Sequence, residues 1–455
     1  MKTRMNFKDE FYQKLKLLVL PIAIQNFMLA LVSATDAIML GWIDQTSLSA
    51  VSLAGQVQFV LNLFITGIAA GAGIMAAQYW GKRDAASIEK VIPIALRTNL
   101  LFSGLFTILA GLCPDLLMRI FTNDAALVAS GSQYLRAVAL SYVLCGISQV
   151  YLILLKNTGH AAVSSRISST AVVLNIILNA VLIYGLFGAP ALGIRGAAYA
   201  TVAARVLELI WACLETKKPD HVRILWNRLF SSAGKILSKD FWRYTLPVLA
   251  ASLVWGVAYV LYSVIMGHMG SDAVAANSIT SIAKSLLSCL IRGVSGGAGV
   301  LVGNLLGADE LEKAREYGGR LTHLAIAIGV VTGGLLMLIS PAIVHFAPLT
   351  DTAAEYLQYM LLFCGLNLMA QSVNTTVLDG IFCAGGDAKF DMQGNIGAMW
   401  CFSVPLGFLA AFWLKLPVMI VYCIVNLDEI VKLPAVYLHY KKYVWVRNIT
   451  RDVEE

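Results

Sequence analysis

Long apolar stretches, separated by short polar segments, constrain the fold of this chain more than any other feature of its sequence. The first, Leu17–Trp42, contains one proline and one carboxylate, Pro21 and Asp36, and little other strong polarity. A helix of about 20 apolar residues spans a lipid bilayer. Only 13% of the 455 residues are charged, whereas soluble domains carry about 25%. We therefore predict an all-α integral membrane protein.

The hydropathy pattern predicts twelve transmembrane helices. Their approximate ranges are 15–42, 48–80, 88–113, 127–155, 162–187, 193–214, 240–268, 273–305, 316–340, 353–382, 391–414 and 417–440. The longest polar segment separates two groups of six helices. The predicted parts are an N-terminal six-helix lobe (1–214), a cytoplasmic linker (215–239), a C-terminal six-helix lobe (240–440) and a cytoplasmic tail (441–455).

Lysine and arginine residues concentrate in alternate loops. If the N-terminus is cytoplasmic, the outer faces hold only about four basic residues, Arg119, Arg136, Arg195 and Lys415. Basic loops stay on the cytoplasmic side of a membrane, so we predict a multi-pass protein of the inner (plasma) membrane with both termini in the cytoplasm. No nucleic-acid-binding motif accompanies these residues, and nucleic acid is not an expected partner.

The two halves of the sequence repeat. Pro21 corresponds to Pro247, an offset of 226 residues, and the segment 67–84 matches 293–310 at the same offset. Because each half has six spans, both repeats have the same orientation in the membrane, related by an axis along its normal. We expect two pseudo-symmetric six-helix lobes with a cleft between them, which suits alternating access.

Asp36 is the main candidate for a functional side chain. It lies about twenty residues into the first apolar stretch, where a carboxylate costs roughly 2.5–3.5 kcal/mol on insertion scales and is rarely retained without a role. The alternative is a hydrated carboxylate near the outer mouth of the helix, with no function. A buried carboxyl group can exchange a proton, and its oxygens are hard ligands that suit Na⁺. We interpret Asp36 as a cation-coupling residue.

Three segments resemble the multidrug and toxic compound extrusion (MATE) family of bacteria. They are Pro21–Asp84, Leu174–Thr201 and Gly380–Lys389, and the likeness covers nearly the whole chain, including the span number and the repeat. The resemblance implies a secondary active antiporter that exports organic, often cationic, compounds in exchange for inward H⁺ or Na⁺. No cofactor besides this coupling ion is expected, and no catalytic set is visible, so we expect no enzyme activity.

By this resemblance, the coupling cation is held by Asp36 together with Asn175, Asn179, Thr201 and the carbonyl of Ala197. The four-residue spacing of the two asparagines puts both on one helix face; polar packing between helices is the alternative interpretation. Family members often carry aspartate where this chain has Asn179. One carboxylate then remains in the inferred site, and the choice between H⁺ and Na⁺ stays open.

The second lobe has its own candidates for lining the cleft, and they include two cations and a carboxylate deep in apolar spans. These candidates are Lys284, Arg292, Asp379, Tyr262 and Trp255. An internal ion pair between Arg292 and Asp379 is an equally weighted alternative. Trp255 stands where NorM-type members carry glutamate, so a second-lobe Na⁺ site of that kind is not expected.

Two other functions remain open from the sequence. A flippase for a lipid-linked precursor, from the same wider superfamily, would use a basic cleft, at which Lys284 and Arg292 hint. An integral membrane enzyme is the other, although no catalytic residues support it. The expected partners are a small organic substrate, H⁺ or Na⁺ and the lipid bilayer, and we expect a monomer. Ion binding is expected to bend the first helix at Pro21.

Overall fold

The computed structural model describes residues 7–43, 45–224, 229, 234–347 and 349–451. These residues form helices joined by turns, with no β-strand among them. The basic segment before residue 7, part of the predicted linker 215–239 and the last four residues of the predicted tail lie outside the described residues. The all-α architecture predicted from the sequence is confirmed.

The helices of the first half are long and closely spaced along the chain. They are α1 (Phe7–Gly41), α2 (Gln45–Gly81), α3 (Ala85–Leu112), the short α4 (Pro114–Arg119), α5 (Ala125–Asn157), α6 (Ala161–Tyr184) and α7 (Ile194–Glu215). Asp84 and Asp124 cap α3 and α5, because their carboxylates accept hydrogen bonds from first-turn N–H groups at 3.0 and 2.8 Å. Such caps satisfy donors that have no partner within the helix.

The second half contains long helices followed by shorter pieces. They are α8 (Lys235–Gly267), α9 (Ser271–Gly307), α10 (Leu311–Phe346), α11 (Asp351–Thr375), α12 (Ala388–Asn395), α13 (Val404–Phe408), α14 (Val418–Val425) and α15 (Asp428–Tyr440). π-Helical segments follow α11, α12 and α13 directly, at Thr376–Phe382, Ile396–Ser403 and Leu409–Trp413. π-Helical turns are frequent at functional sites. No sequence feature predicted them.

Eleven helical segments of the described residues are long and apolar enough to cross a membrane, in agreement with the first eleven predicted spans. The twelfth predicted span, 417–440, is interrupted, because α14 ends at Val425 and α15 begins at Asp428. The sequence changes there from VMIVYCIV to NLDE. Polar residues in the middle of the span thus divide it into two shorter helices.

The described chain divides into two compact units that do not follow the sequence repeats. One consists of α1 up to Asn26 together with Ala250–Arg451, and the other of Phe27–Leu249. Helices α1 and α8 therefore each begin in one unit and end in the other. The predicted lobes, 1–214 and 240–440, follow the repeats, and their boundaries stay a prediction.

Glycines of α2 allow the first part of α8 to approach closely in the Phe27–Leu249 unit. A Cβ atom on Gly71 would lie 2.7 Å from the Cα of Thr245, and one on Gly67 would lie 3.0 Å from the Cα of Leu249. Distances this short leave no room for a side chain larger than hydrogen. Small residues are common where membrane helices pack closely.

The same packing recurs in the other unit, between α9 and the first part of α1. A Cβ atom on Gly293 would lie 3.0 Å from the Cα of Ala23, and one on Gly297 would lie 2.8 Å from the Cγ2 of Val19. Gly293 and Gly297 follow Gly67 and Gly71 by the 226 residues of the sequence repeat. Val19 and Ala23 precede Thr245 and Leu249 by the same number. The sequence repeat is therefore also a repeat of helix packing.

Gly71→Ala is expected to lower the free energy of unfolding by about 1–3 kcal/mol, because the new methyl group overlaps the backbone of Thr245. Thermal unfolding of the detergent-purified protein measures this change. Gly55→Ala is the matched control on the same helix, since a Cβ there meets no atom within 4 Å. Alanine favours the helix, so this control should leave stability unchanged or raise it by up to about 1 kcal/mol. Equal melting temperatures for the two variants would contradict the packing described above.

The C-terminal segment after α15 packs onto the unit that contains α10 and α11. Trp445 is fully buried in the core with Phe11 and Tyr317. Arg447 donates from Nε to the carbonyl of Gly385 at 2.7 Å and from Nη2 to that of Gly386 at 2.6 Å. The described part of the predicted tail is thus anchored to its unit.

Candidate cation site

Asp36 lies in the second part of α1 and contacts α6 in the Phe27–Leu249 unit. The Nδ2 of Asn179 donates a hydrogen bond of 2.5 Å to Oδ1 of Asp36. Asn179 is fully buried, whereas Asp36 is half-buried. The carboxylate therefore faces the interior of its unit, where an amide orients it, rather than only surrounding lipid.

A chain of hydrogen bonds extends from this contact through α6 to α7. Asn179 Nδ2 also donates to Oδ1 of Asn175 at 3.2 Å, and Asn175 Nδ2 donates to Oγ1 of Thr201 at 3.3 Å. Thr201 Oγ1 donates to the carbonyl of Ala197 at 3.0 Å. The structure thus brings together all five residues of the predicted cation site, including Asp36. We call this set the Asp36 network.

Local helix geometry positions the Asp36 network. Asn175 and Asn179 are one turn apart on α6, and Ala197 and Thr201 are one turn apart on α7, so each pair shares a helix face. Gly196 lets the two helices meet, because a Cβ atom there would lie only 2.4 Å from the carbonyl oxygen of Leu182. The sequence positions therefore place all four polar groups along one helix contact.

The Asp36 network presents several oxygen atoms and one carboxylate. Among the described residues, Oδ1 of the buried Asn179 has no hydrogen-bond donor. A buried acceptor without a donor is costly, and a bound cation would satisfy it. Carboxylate, amide, hydroxyl and carbonyl oxygens are ligands for hard cations, and the carboxylate is equally able to take up a proton. The residues present fit either coupling ion.

Lys284 lies in α9 and contacts α11. Its Nζ donates to Oδ1 of Asn367 at 2.8 Å, and Asn367 Nδ2 donates to the carbonyl of Asn426 at 2.7 Å. Asn426 lies at the break between α14 and α15, where the backbone leaves helical geometry. Lys284 therefore supports this break through Asn367, and within the described residues no ion pair joins it to Asp379.

Arg292 and Asp379 are both exposed. Arg292 lies in the middle of α9, whereas Asp379 lies in the π-helical segment Thr376–Phe382, close to the end of the tenth apolar segment rather than deep within it. Their charges act on each other, but no ion pair joins them in the part of the chain that the structure describes. Charged groups within membrane spans face water-filled cavities or protein rather than lipid. Their predicted place in a cleft stays a prediction.

The two aromatic candidates differ in exposure. Tyr262 is buried in a core with Met399 and Val421, so it presents little open surface. Trp255 is half-buried and stacks on Tyr259, with ring centroids 5.5 Å apart. Of these two side chains, only Trp255 has a face that a ligand could contact directly.

Comparison with known proteins adds the family. The family model described as MatE matches residues 21–181 and 247–409. The chain belongs to the MatE family. It is 21% identical to the probable multidrug resistance protein YoeA of Bacillus subtilis, over 99% of this chain and 98% of YoeA. It is 23% identical to the probable multidrug resistance protein NorM of Thermotoga maritima, over 90% of this chain and 87% of that protein.

A solved structure shares the fold of this MatE chain. It is described as the outward-facing conformation of a multidrug resistance MATE family transporter, with a TM-score of 0.85, 19% identity and 95% of both chains covered. The two matched segments of the family model correspond to the two sequence repeats. The MatE family consists of membrane transporters rather than enzymes, which agrees with the sequence interpretation.

Pro21 of this MatE chain lies within α1, which runs without interruption from Phe7 to Gly41. Proline has no N–H group and leaves the carbonyl four residues earlier without a helical partner. The unit boundary at Asn26 follows only five residues later. Bending of α1 at Pro21 stays a prediction.

The sequence interpretation missed a buried ion pair on α7. Nη1 of Arg205 lies 2.6 Å from Oε2 of Glu208, and Ser148 and Ser168 donate to the same carboxylate at 3.1 and 3.2 Å. The sequence itself contained a signal for this pair, because opposite charges three residues apart within an apolar span lie on the same face of a helix. This pair joins α5, α6 and α7 of the MatE chain.

Proposed function

We propose that this protein is a secondary active antiporter that exports organic, often cationic, multidrug-type compounds in exchange for inward H⁺ or Na⁺. The Asp36 network is the observation that carries the proposal, because it holds one carboxylate among uncharged oxygen ligands on three helices. The names of YoeA and NorM, both probable multidrug resistance proteins, support the substrate class. No other cofactor is required.

The proposed mechanism links the cation to the contact between α1 and α6. A cation on Asp36 neutralises the carboxylate and competes with the hydrogen bond from Asn179. The contact between α1 and α6 therefore differs between the cation-bound and the cation-free state. A ligand shifts a conformational equilibrium only by its differential affinity for the states. We propose that α1 bends at Pro21 in response, and that a cleft between two lobes opens to each side of the membrane in turn.

The proposal includes a location and a state of assembly. The protein acts as a monomer in the plasma membrane, and both of its termini lie in the cytoplasm. The distribution of basic residues favours this orientation of the termini. Lys284 is already bonded to Asn367, which leaves fewer free cations for a pyrophosphate group. Export of organic compounds is therefore favoured over transport of a lipid-linked precursor.

Proteoliposomes with an imposed gradient test the function and identify the ion. A fluorescent organic cation is loaded, and either a Na⁺ gradient or a pH gradient is applied, one at a time. We expect one of the two gradients to drive transport, and an ionophore that collapses it to stop transport. If neither gradient moves any tested organic cation above the rate of protein-free vesicles, the proposal is wrong.

Thr201→Ala is expected to weaken binding of the coupling ion by roughly tenfold, about 1.4 kcal/mol, because it removes one oxygen of the Asp36 network. Ion binding to the purified protein measures the change, and Thr201→Ser should restore the affinity. Thr98→Ala is the matched control, since Thr98 is a threonine that, like Thr201, donates to the carbonyl one turn back on its helix, at 2.8 Å, and it is buried outside the Asp36 network. An unchanged affinity in Thr201→Ala would remove this residue from the site.

A further inference from the structure

A second polar network is buried in the unit that contains α11, α12 and α15. Each of its members is at most 9% exposed. The members, which we call the Lys432 cluster, are Asn374, Asp391, Asn395, Asp428, Glu429 and Lys432. The Asp36 network lies in the other unit, so the two sets of residues are separate.

Lys432 is the centre of this cluster. Its Nζ donates to Oε1 of Glu429 at 3.0 Å and to Oδ1 of Asn395 at 3.2 Å, and it lies 3.8 Å from Oδ2 of Asp428. Asn395 in turn donates from Nδ2 to Oδ1 of Asp391 at 3.2 Å. One ammonium group therefore serves three carboxyl groups, and Asp391 reaches it only through an amide.

The cluster is built around the break in the twelfth span. Nδ2 of Asn374 donates to the carbonyl of Glu429 at 2.7 Å and to its Oε2 at 2.8 Å. Asp428 and Glu429 form the first turn of α15, where the helix dipole favours negative charge. Discontinuous helices with polar partners form the ion sites of many membrane transporters.

The charges of the cluster do not balance. Three carboxyl groups surround one ammonium group, and buried charges without a counter-charge are expensive. Other charged or titratable groups act on the cluster from the packed elements. These groups are Asp379 and Cys383 beyond α11, Lys284 and Arg292 of α9, and Tyr262 of α8. Of these groups, Arg292 acts on Asp379, whereas Lys284 acts on Asp428 and Glu429 of the cluster itself. The three carboxyl groups of the cluster therefore face two cations, Lys432 and Lys284, which leaves one negative charge in excess.

The Lys432 cluster also contains an acceptor without a donor. Among the described residues, Oδ1 of Asn374, a residue only 1% exposed, has no hydrogen-bond partner. By contrast, the buried Glu208 has one Arg205 and two serine donors, so neither charge nor donors are lacking there. The Lys432 cluster is therefore short of positive charge and of donors together.

Within the Lys432 cluster, Asp391 is the carboxyl group best placed to be neutral. Glu429 accepts from both Lys432 and Asn374, and Asp428 lies beside the ammonium group, so both have partners that favour the ionised form. Among the described residues, the amide of Asn395 is the one donor to Asp391, and the carboxyl group of Asp379 acts on it from nearby. A proton on Asp391 removes the excess charge and supplies a donor.

We propose that Asp391 of the Lys432 cluster holds an exchangeable proton, so that this unit binds H⁺ at a site separate from Asp36. The inference rests on the proposed antiport function and deepens it. A proton on Asp391 would be a second cation in the transport cycle, whether Asp36 binds H⁺ or Na⁺. The proton comes from water on one side of the membrane and adds to a carboxylate oxygen, with no other bond made or broken.

Infrared difference spectroscopy of the purified full-length protein in lipid tests the proposal directly. A protonated carboxyl group has a carbonyl stretching band that a carboxylate lacks, and the band shifts in D₂O. At neutral pH, Asp391→Asn is expected to lose one component of this band, and that component should remain in Asp36→Asn. Glu355→Gln is the control for removal of an exposed carboxylate on α11 and should leave the band unchanged.

Lys432→Gln provides an opposite change at the same cluster. It keeps a hydrogen-bond donor for Glu429 but removes a positive charge, so the proton should be held more firmly and the band should persist to higher pH. A purely structural cluster would not respond in opposite directions to the two variants. The proposal is overturned if folded Asp391→Asn keeps the full band, or if folded Lys432→Gln titrates as the wild type does.

This measurement does not depend on transport. If Asp36→Asn still exports substrate while Asp391→Asn loses its band, the proposed coupling role of Asp36 fails and the proton site remains. If the reverse is observed, the second site fails and the antiport function remains.

Discussion

Asp36→Asn is expected to abolish gradient-driven efflux while leaving the protein in the membrane. The variant keeps the size of the side chain and can still bond to Asn179, but it has no negative charge to attract a cation and no proton to exchange. Without differential ion binding, the gradient cannot shift the conformational equilibrium. Efflux from proteoliposomes under the driving gradient should fall to the level of protein-free vesicles.

Asp124→Asn is the control for this experiment. Asp124 is an exposed carboxylate of the same unit that caps α5 through the N–H of Ala126 at 2.8 Å. Asparagine caps a helix about as well as aspartate, so this variant should be about as stable as the wild type and leave the coupling intact. Undiminished, gradient-dependent efflux by a well-folded Asp36→Asn protein would show that the carboxylate of the Asp36 network is not the coupling group.

Glu208→Ala is expected to destabilise the protein by about 3–5 kcal/mol, the largest stability effect predicted for a single side chain. The substitution leaves the guanidinium of Arg205 without its counter-charge at a position where the side chain is 20% exposed. It also removes the acceptor of Ser148 and Ser168. Thermal unfolding in detergent, followed by the fraction of monodisperse protein, measures this loss.

Two comparisons separate charge from packing at this position. The double variant Arg205→Met with Glu208→Met removes both charges and should be much less destabilised than Glu208→Ala, because no isolated buried charge remains. Asp115→Asn removes one partner of an exposed pair, whose side chains are 57% and 58% exposed, and should cost about 0–1 kcal/mol. A double variant as unstable as the single one would show that packing, not charge, explains the loss.

The sequence predicted the all-α membrane fold because twelve apolar stretches leave few alternatives. It also predicted which residues would meet at the Asp36 network. The periodicity of α6 indicated that Asn175 and Asn179 share a face, but only the family resemblance linked them to Asp36 and Thr201. Contacts between side chains more than a hundred residues apart depend on how helices pack, which spacing within one helix does not specify.

The features that the sequence interpretation missed depend on local polarity within apolar spans. The break at Asn426 was visible as the polar run NLDE, but averaging over a whole span hid it. Arg205 and Glu208 were likewise hidden within a span that is apolar overall. The π-helical segments have no characteristic residue type, since the extra residue in a turn is accommodated by packing around it. Of these features, the π-helical segments are the ones that could be recognised only with the surrounding helices in place.

The division of α1 and α8 between two units has a consequence for biogenesis. The unit formed by Phe27–Leu249 has all of its residues once the ribosome has passed residue 249, whereas the residues that pack against the beginning of α1 are translated only later. The first helix to enter the translocon must therefore wait for the last part of the nascent chain before its packing is complete. If translation stops early, the beginning of α1 stays unpacked. Quality-control proteases that recognise unpacked membrane helices can then remove the truncated chain.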